Sequence, residues 1–215
     1  MRITKIEGQK HNPSRKNIYI DGEFALGISA ETLLRFGLRT GDEIGEQKLK
    51  ALQAAEELQG AQRAALQLLA RRPRTEKEIR DRLRESEFGE EEIDQAVASL
   101  RKSGFLDDEA FARAFIRDQL SVRPKGPLAI KRRLLLLGVK KETIDRALKE
   151  AFQERSQNDV ALDVAVKFLR KISHDDPRSK RQKLAGFLSR RGFSWDVITE
   201  VMNKVLGATD HGDAL

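Results

Sequence analysis

The chain has 215 residues, 35% of them charged and 6% aromatic, with 41 Lys and Arg against 34 Asp and Glu and a net charge of +7. The absence of cysteine excludes disulfides and thiolate metal sites, and the lack of a long apolar stretch or signal peptide predicts a soluble, cytoplasmic protein with no membrane partner. High charge with few aromatics suits helical repeats with wide solvated faces rather than one large globule.

The first 50 residues read as a β-rich segment. Ile18 to Leu26 (IYIDGEFAL) predicts a hairpin, because Asp21-Gly22 favours a type I′ turn. Arg2 to Lys10 alternates weakly and supplies a third strand. Ser29 is placed to cap a short helix over Ala30 to Phe36, before Gly37. Gly41-Asp42-Glu43 is a further turn, and Ile44 opens a short strand. Three strands are about the minimum for independent stability, so this segment is expected to pack on something. Gln47 to Gly60 reads as a connecting helix.

From residue 61 onward one apolar spacing occurs three times. Ile79, Leu83, Phe88, Ile93 and Val97 are separated by 4, 5, 5 and 4 residues; Ile130, Leu134, Val139, Ile144 and Leu148 repeat the steps; Leu184, Leu188, Phe193, Ile198 and Met202 repeat them again. Each four-residue step sets two apolar side chains on one helix face, and the middle stretch holds a turn. Each copy is therefore a helix, a tight turn and a second helix. Gly138 before Val139, and Gly192 before Phe193, supply the left-handed turn residue, while the first copy has Glu87 there and predicts a differently shaped turn. Ser194 stands at an N-cap position.

A third helix precedes each hairpin: Ala64 to Ala70 with Leu66 and Leu69 on its stripe, Glu109 to Leu120 with Phe111, Phe115 and Ile116, and Val160 to Lys171 with Val164 and Phe168. Thr75 to Glu78 fits a capping box, following Pro73, which ends the helix before it. Asp107 or Asp108 caps the helix carrying Phe111, and Arg123-Pro124-Lys125-Gly126-Pro127 is a rigid turn with Pro127 in a first helical turn. The fold class expected is mainly α, with three tandem three-helix repeats in an elongated array after the small N-terminal β-hairpin or sheet. The divisions are 1–50 (β-rich), 51–107 (linker helix and first repeat), 108–155 (second repeat), 156–206 (third repeat) and a disordered tail, 207–215.

The charge is uneven: residues 109–155 carry 12 Lys and Arg against 6 Asp and Glu. Such asymmetry favours a polyanion or an acidic protein groove, against the competing reading of a solvated basic surface; nucleic-acid contact is the expectation. The candidate phosphate contacts are Arg113 and Arg117 on one helix face, Arg123 and Lys125 in the Pro-Gly turn, Lys131, Arg132 and Arg133 on the next helix, and Arg190 and Arg191 at the end of its counterpart in the last repeat. Phe111, Phe115 and Phe168 read as core rather than stacking platforms; Tyr19 and Trp195 are the aromatics open to a stacking role. His11, His174 and His211 are isolated, without metal-ligand spacing, and no Gly-rich phosphate loop occurs. The clusters Asp107-Asp108-Glu109 and His174-Asp175-Asp176 have the composition of cation sites, but capping and a surface loop explain them better. The expectation is a protein without catalytic residues, cofactor or metal.

Two stretches resemble a known family. Gly104-Phe105-Leu106-Asp107-Asp108-Glu109-Ala110-Phe111-Ala112-Arg113 looks like the signature of bacterial RecX regulatory proteins, where it joins the first and second repeats. Lys125-Gly126-Pro127-Leu128-Ala129-Ile130, with Leu134 and Gly138-Val139, resembles the start of that family's second repeat. The three-repeat plan matches over residues 61–206. The resemblance implies a non-catalytic modulator of the RecA recombinase. Such a protein binds RecA filaments on DNA and generally inhibits recombinase, ATPase and co-protease activities, within DNA repair, homologous recombination and the SOS response. The implied partners are the RecA filament and single-stranded DNA, with double-stranded DNA a further target; a monomer is expected. The family supplies no catalytic residues, and its partner-binding residues form no sharp motif. The alternative is a stand-alone DNA-binding protein with helix-turn-helix-like repeats.

Overall fold

The computed structural model describes residues 1–10, 12–122, 124–174 and 176–207. It divides into two compact units, Met1–Pro73 with Ile79–Leu106, and Arg74–Glu78 with Asp107–Leu215. The expected disordered tail lies almost wholly outside the described residues.

In the first unit, strands β1 (Ile3–Gln9), β2 (Asn12–Ile20) and β3 (Glu23–Ser29) form an antiparallel sheet in chain order. Asp21 and Gly22 both take positive φ between the paired Ile20 and Glu23, as a type I′ turn requires. β2 begins six residues before Ile18, because its polar first half pairs with both neighbours. Helix α1 (Ala30–Phe36) follows, with the Ser29 hydroxyl accepting the Thr32 N–H at 2.9 Å and Gly37 ending it at φ 60°. No strand forms at Ile44. Its N–H donates to the Met1 carbonyl, its side chain is buried, and only Glu43 makes an isolated bridge, to Arg2.

The expected break between a connecting helix and the first helix of the repeat is absent: α2 runs unbroken over Glu46–Arg71. Gly60 sits inside it, and a Cβ there would lie 3.1 Å from Cε1 of Phe88. The intrinsic cost of a mid-helix glycine is about 1 kcal/mol, which close ring packing offsets. One helix thus serves two cores. Leu52 joins Ile3, Ile18, Ile28 and Ile44 under the sheet, while Ala61 and Ala65 join Ile79, Leu83, Ile93 and Val97 of α3 (Glu76–Glu85) and α4 (Glu90–Lys102). Leu66, expected on the buried stripe, is 39% exposed; the small Ala61 and Ala65 face α4 instead.

The second unit holds α5 (Asp108–Ser121), α6 (Pro127–Leu136), α7 (Lys141–Glu154), α8 (Gln157–Leu169) with a 3-10 turn, α9 (Pro177–Arg190) and α10 (Trp195–Leu206). Of the fifteen residues in the repeated apolar pattern, all but Phe88 and Met202 are buried. Two cores result, one around Ile116, Ile130, Leu134 and Ile144, the other around Val160, Val164, Leu184, Leu188 and Ile198, and Leu120 and Phe152 pack against both.

The three hairpin turns share one geometry, which corrects the expectation of a different first turn. Glu87 adopts φ 62°, beside 87° at Gly138 and 85° at Gly192. In each turn the next residue's N–H returns to the helix: Phe88 to Leu83, Val139 to Leu134 and Phe193 to Leu188, at 3.1–3.2 Å. Ser194 occupies the N-cap of α10, but its side chain makes no capping bond.

Candidate nucleic-acid interface

The position of α9 against α6 is set by backbone at close quarters. The Gly126 N–H donates to the Arg191 carbonyl at 2.8 Å and the Leu128 N–H to the Gly192 carbonyl at 3.1 Å. A Cβ on Gly126 would collide with the Gly192 carbonyl, and one on Gly192 with the backbone of Ala129. This joint carries the C-terminal end of α9, with Arg190, up to the first turns of α6.

On α6, Ala129, Arg132, Arg133 and Leu136 recur at helical spacing and share one face. That face, Phe115 and Gln119 of α5, Lys125 of the turn and Arg190 of α9 line a groove of about 380 Å³. Among the described residues no carboxylate lines it. Lys125, Arg132, Arg133 and Arg190 make no side-chain hydrogen bond or ion pair with any described residue. Four cations gathered without counter-charge repel one another, and a bound polyanion relieves that repulsion.

The other expected phosphate contacts are placed differently. Arg113 donates to Glu109 at 2.6 Å and to Glu150 at 3.1 Å, and the Glu150 hydrogen bond holds its guanidinium above the ordinary value. Lys131 pairs with Asp145. Arg191 donates to the Pro124 carbonyl at 2.8 Å and lies over the Phe187 ring. Arg117 lines a separate groove that also contains Glu150 and Glu154. Arg123 lies outside the described residues. Of the nine cations expected, four converge and at least three are engaged elsewhere.

Phe115, expected in the core, is half-buried: it packs against the core around Ile116, Ile130 and Ile144 and also lines the groove. The i, i+3, i+4, i+7 set of Ala129, Arg132, Arg133 and Leu136 was the available signal. Of the two stacking candidates, Tyr19 donates its hydroxyl to Glu7 at 2.6 Å and meets Phe24 edge-on, and Trp195 is 66% exposed at the start of α10 and does not line the groove. The acidic cluster resolves into caps. Asp107 accepts the Glu109 and Ala110 N–H groups, both at 2.9 Å, and Asp108 accepts the Glu76 N–H, also at 2.9 Å. Asp176 caps α9 through the Ser179 N–H, which holds its carboxyl below the usual range. Among the described residues no three His, Asp or Glu side chains gather as a metal site, and no helix is long and apolar enough to cross a membrane.

Comparison with known proteins covers nearly the whole chain. Residues 1–45 match the regulatory protein RecX N-terminal domain, and residues 61–100, 107–148 and 156–202 match the first, second and third RecX three-helix domains. A regulatory protein RecX of Clostridium beijerinckii is 36% identical over 95% of this chain and 96% of its own length. One of Clostridioides difficile is 31% identical over 97% and 98%. A crystal structure of regulatory protein RecX superposes with a TM-score of 0.75 at 31% identity, covering 94% of this chain and 98% of its own. That of RecX from Lactobacillus salivarius gives 0.64 at 28% identity over 70% and 97%.

Proposed function

The chain belongs to the RecX family of regulatory proteins, and on that premise we propose that it regulates the RecA recombinase by binding RecA–DNA filaments. It limits recombinase, ATPase and co-protease activities by occupying the filament, without chemistry of its own, as a cytoplasmic monomer acting in recombinational repair and the SOS response. The observation that carries the nucleic-acid part of this reading is the acid-free groove, with Lys125, Arg132, Arg133 and Arg190 converging from three directions. Their charges suit successive phosphates, which position a protein on a strand but do not read its sequence. Binding to bare DNA is correspondingly weak and salt-sensitive.

The test is RecA ATP hydrolysis on single-stranded DNA while the protein is titrated in. Inhibition well below one molecule per RecA supports filament modulation. No effect on verified filaments of the cognate RecA would sink the inhibitor reading. Tight, sequence-dependent duplex binding in the absence of RecA would favour a stand-alone DNA-binding protein instead.

A further inference from the structure

We propose that a second pocket of the same unit docks an apolar side chain from an acidic segment of the protein partner, so that the two flanks of the Pro124–Lys125 turn divide protein from nucleic acid. This rests on the RecA reading above and assigns residues to its protein half. The pocket measures about 390 Å³. Pro124 and Arg191 line it, whereas their chain neighbours Lys125 and Arg190 line the cationic groove. The same turn and the same helix end therefore face both surfaces.

The chemistry of the two differs. The walls of this pocket are Val122, Val164, Phe168 and Phe187. Lys167 and Lys171, one helical turn apart, stand at its edge and pair with no described carboxylate. The Phe168 and Phe187 rings stack at 4.0 Å and 11°, and the Arg191 guanidinium lies over Phe187 at 4.8 Å. Phe187 is already engaged by a stacked ring and a guanidinium, which makes it a poor platform for a nucleobase. What the pocket presents is a concave apolar wall with two ammonium groups beside it. That suits a Leu, Ile, Met or Phe anchor flanked by Asp or Glu, which combines burial of apolar surface with complementary charge. Val122 is 76% exposed, so a docked side chain removes its apolar surface from water.

The deciding variant is Val122→Arg in the full-length protein. It raises positive charge, so electrostatic attraction to DNA cannot fall, and it sets a bulky polar group at the pocket mouth. Binding is measured to RecA assembled on a labelled single-stranded oligonucleotide with a slowly hydrolysed ATP analogue, and to the bare oligonucleotide. Val122→Arg is expected to weaken filament binding about tenfold or more, with bare-DNA binding unchanged within about twofold. The Lys167→Gln, Lys171→Gln double variant, which leaves the apolar walls intact, is expected to lose more on filaments than on bare DNA. Equal losses on both would place the pocket in the nucleic-acid site and overturn the proposal, as would undiminished filament binding. If the unmodified protein does not bind filaments at all, the RecA reading fails and this assignment fails with it, an outcome distinguishable from a variant effect.

Discussion

Thr75 donates its hydroxyl hydrogen to the Leu137 carbonyl at 2.6 Å, and the corresponding positions one repeat later, Gly126 and Arg191, are joined the same way by a backbone N–H at 2.8 Å. The same joint is thus built twice, once with a side-chain donor and once with the main chain. Both joints lie within the second unit, and in both the carbonyl before the turn glycine is the acceptor.

Thr75 serves three groups at once. Its hydroxyl also accepts the Glu78 N–H at 3.2 Å, its own N–H donates to the Glu78 carboxylate at 3.2 Å, and the residue is fully buried. Thr75→Val keeps the shape but removes the cap and leaves the Leu137 carbonyl without this donor. It is expected to cost about 1–3 kcal/mol, with Thr75→Ser retaining most of the stability. Urea unfolding of the three proteins checks this.

Gly192→Ala and Glu87→Gly should differ in cost although both positions have left-handed backbone. At Gly192 an added Cβ meets Ala129 backbone and takes φ 85°, so a loss of about 2 kcal/mol or more is expected. Nucleic-acid affinity should fall too, because the displaced joint carries Arg190. At Glu87 the side chain is exposed, and relief of the left-handed strain is offset by glycine's greater unfolded-state freedom; a change within about 1 kcal/mol is expected. Thermal unfolding and oligonucleotide anisotropy read both effects.

Glu56 is nearly buried on α2 and ties down the sheet. Its carboxylate accepts the Ser29 N–H at 2.9 Å, the Thr32 hydroxyl at 3.0 Å and Arg63 at 3.1 Å, and pairs with Arg15 at 2.9 Å. Burial opposes ionisation, but the Ser29, Arg63, Thr32 and Arg15 contacts outweigh it and hold the pKa below its ordinary 4.5. A depressed folded pKa contributes stability that is present above about 4.5 and is lost as pH falls through the lower folded value. The unmodified protein should therefore lose stability more steeply below pH 4.5 than Glu56→Gln does. Equal slopes in acid titrations of unfolding would exclude Glu56 as the linked group.

Arg133→Gln and Arg190→Gln should weaken single-stranded DNA binding and lower the slope of log affinity against log salt by about 0.7 each, as loss of one phosphate contact requires. Arg113→Gln, although equally basic in sequence, should leave that slope unchanged, because its guanidinium is already held by Glu109 and Glu150. An equal effect of all three would mean that diffuse charge, not the groove, governs binding.

Much of the fold was legible from residue order because its determinants are local. The 4-5-5-4 spacing specified the hairpins, since apolar residues one helical turn apart must share a face. Asp21-Gly22 specified the hairpin turn and Ser29 the first helix cap, both through interactions within a few residues. Where local signals were misread, longer-range packing was the cause. The connecting helix was expected to end at Gly60, yet Phe88 packs over that glycine and α2 continues. Glu87 suggested a new turn shape, yet its exposed position tolerates the left-handed conformation that the repeat imposes.

The family and its three-helix plan, then, were determined by sequence alone, and so was the concentration of positive charge in residues 109–155. Which of those charges face solvent without a partner was decided only by tertiary structure. Arg113 meets Glu150 from 37 residues away, while Lys125 and Arg190, 65 residues apart, reach one groove through the glycine joint. Charge composition counts basic residues, but an ion pair between distant segments removes one from the count only once the chain has folded.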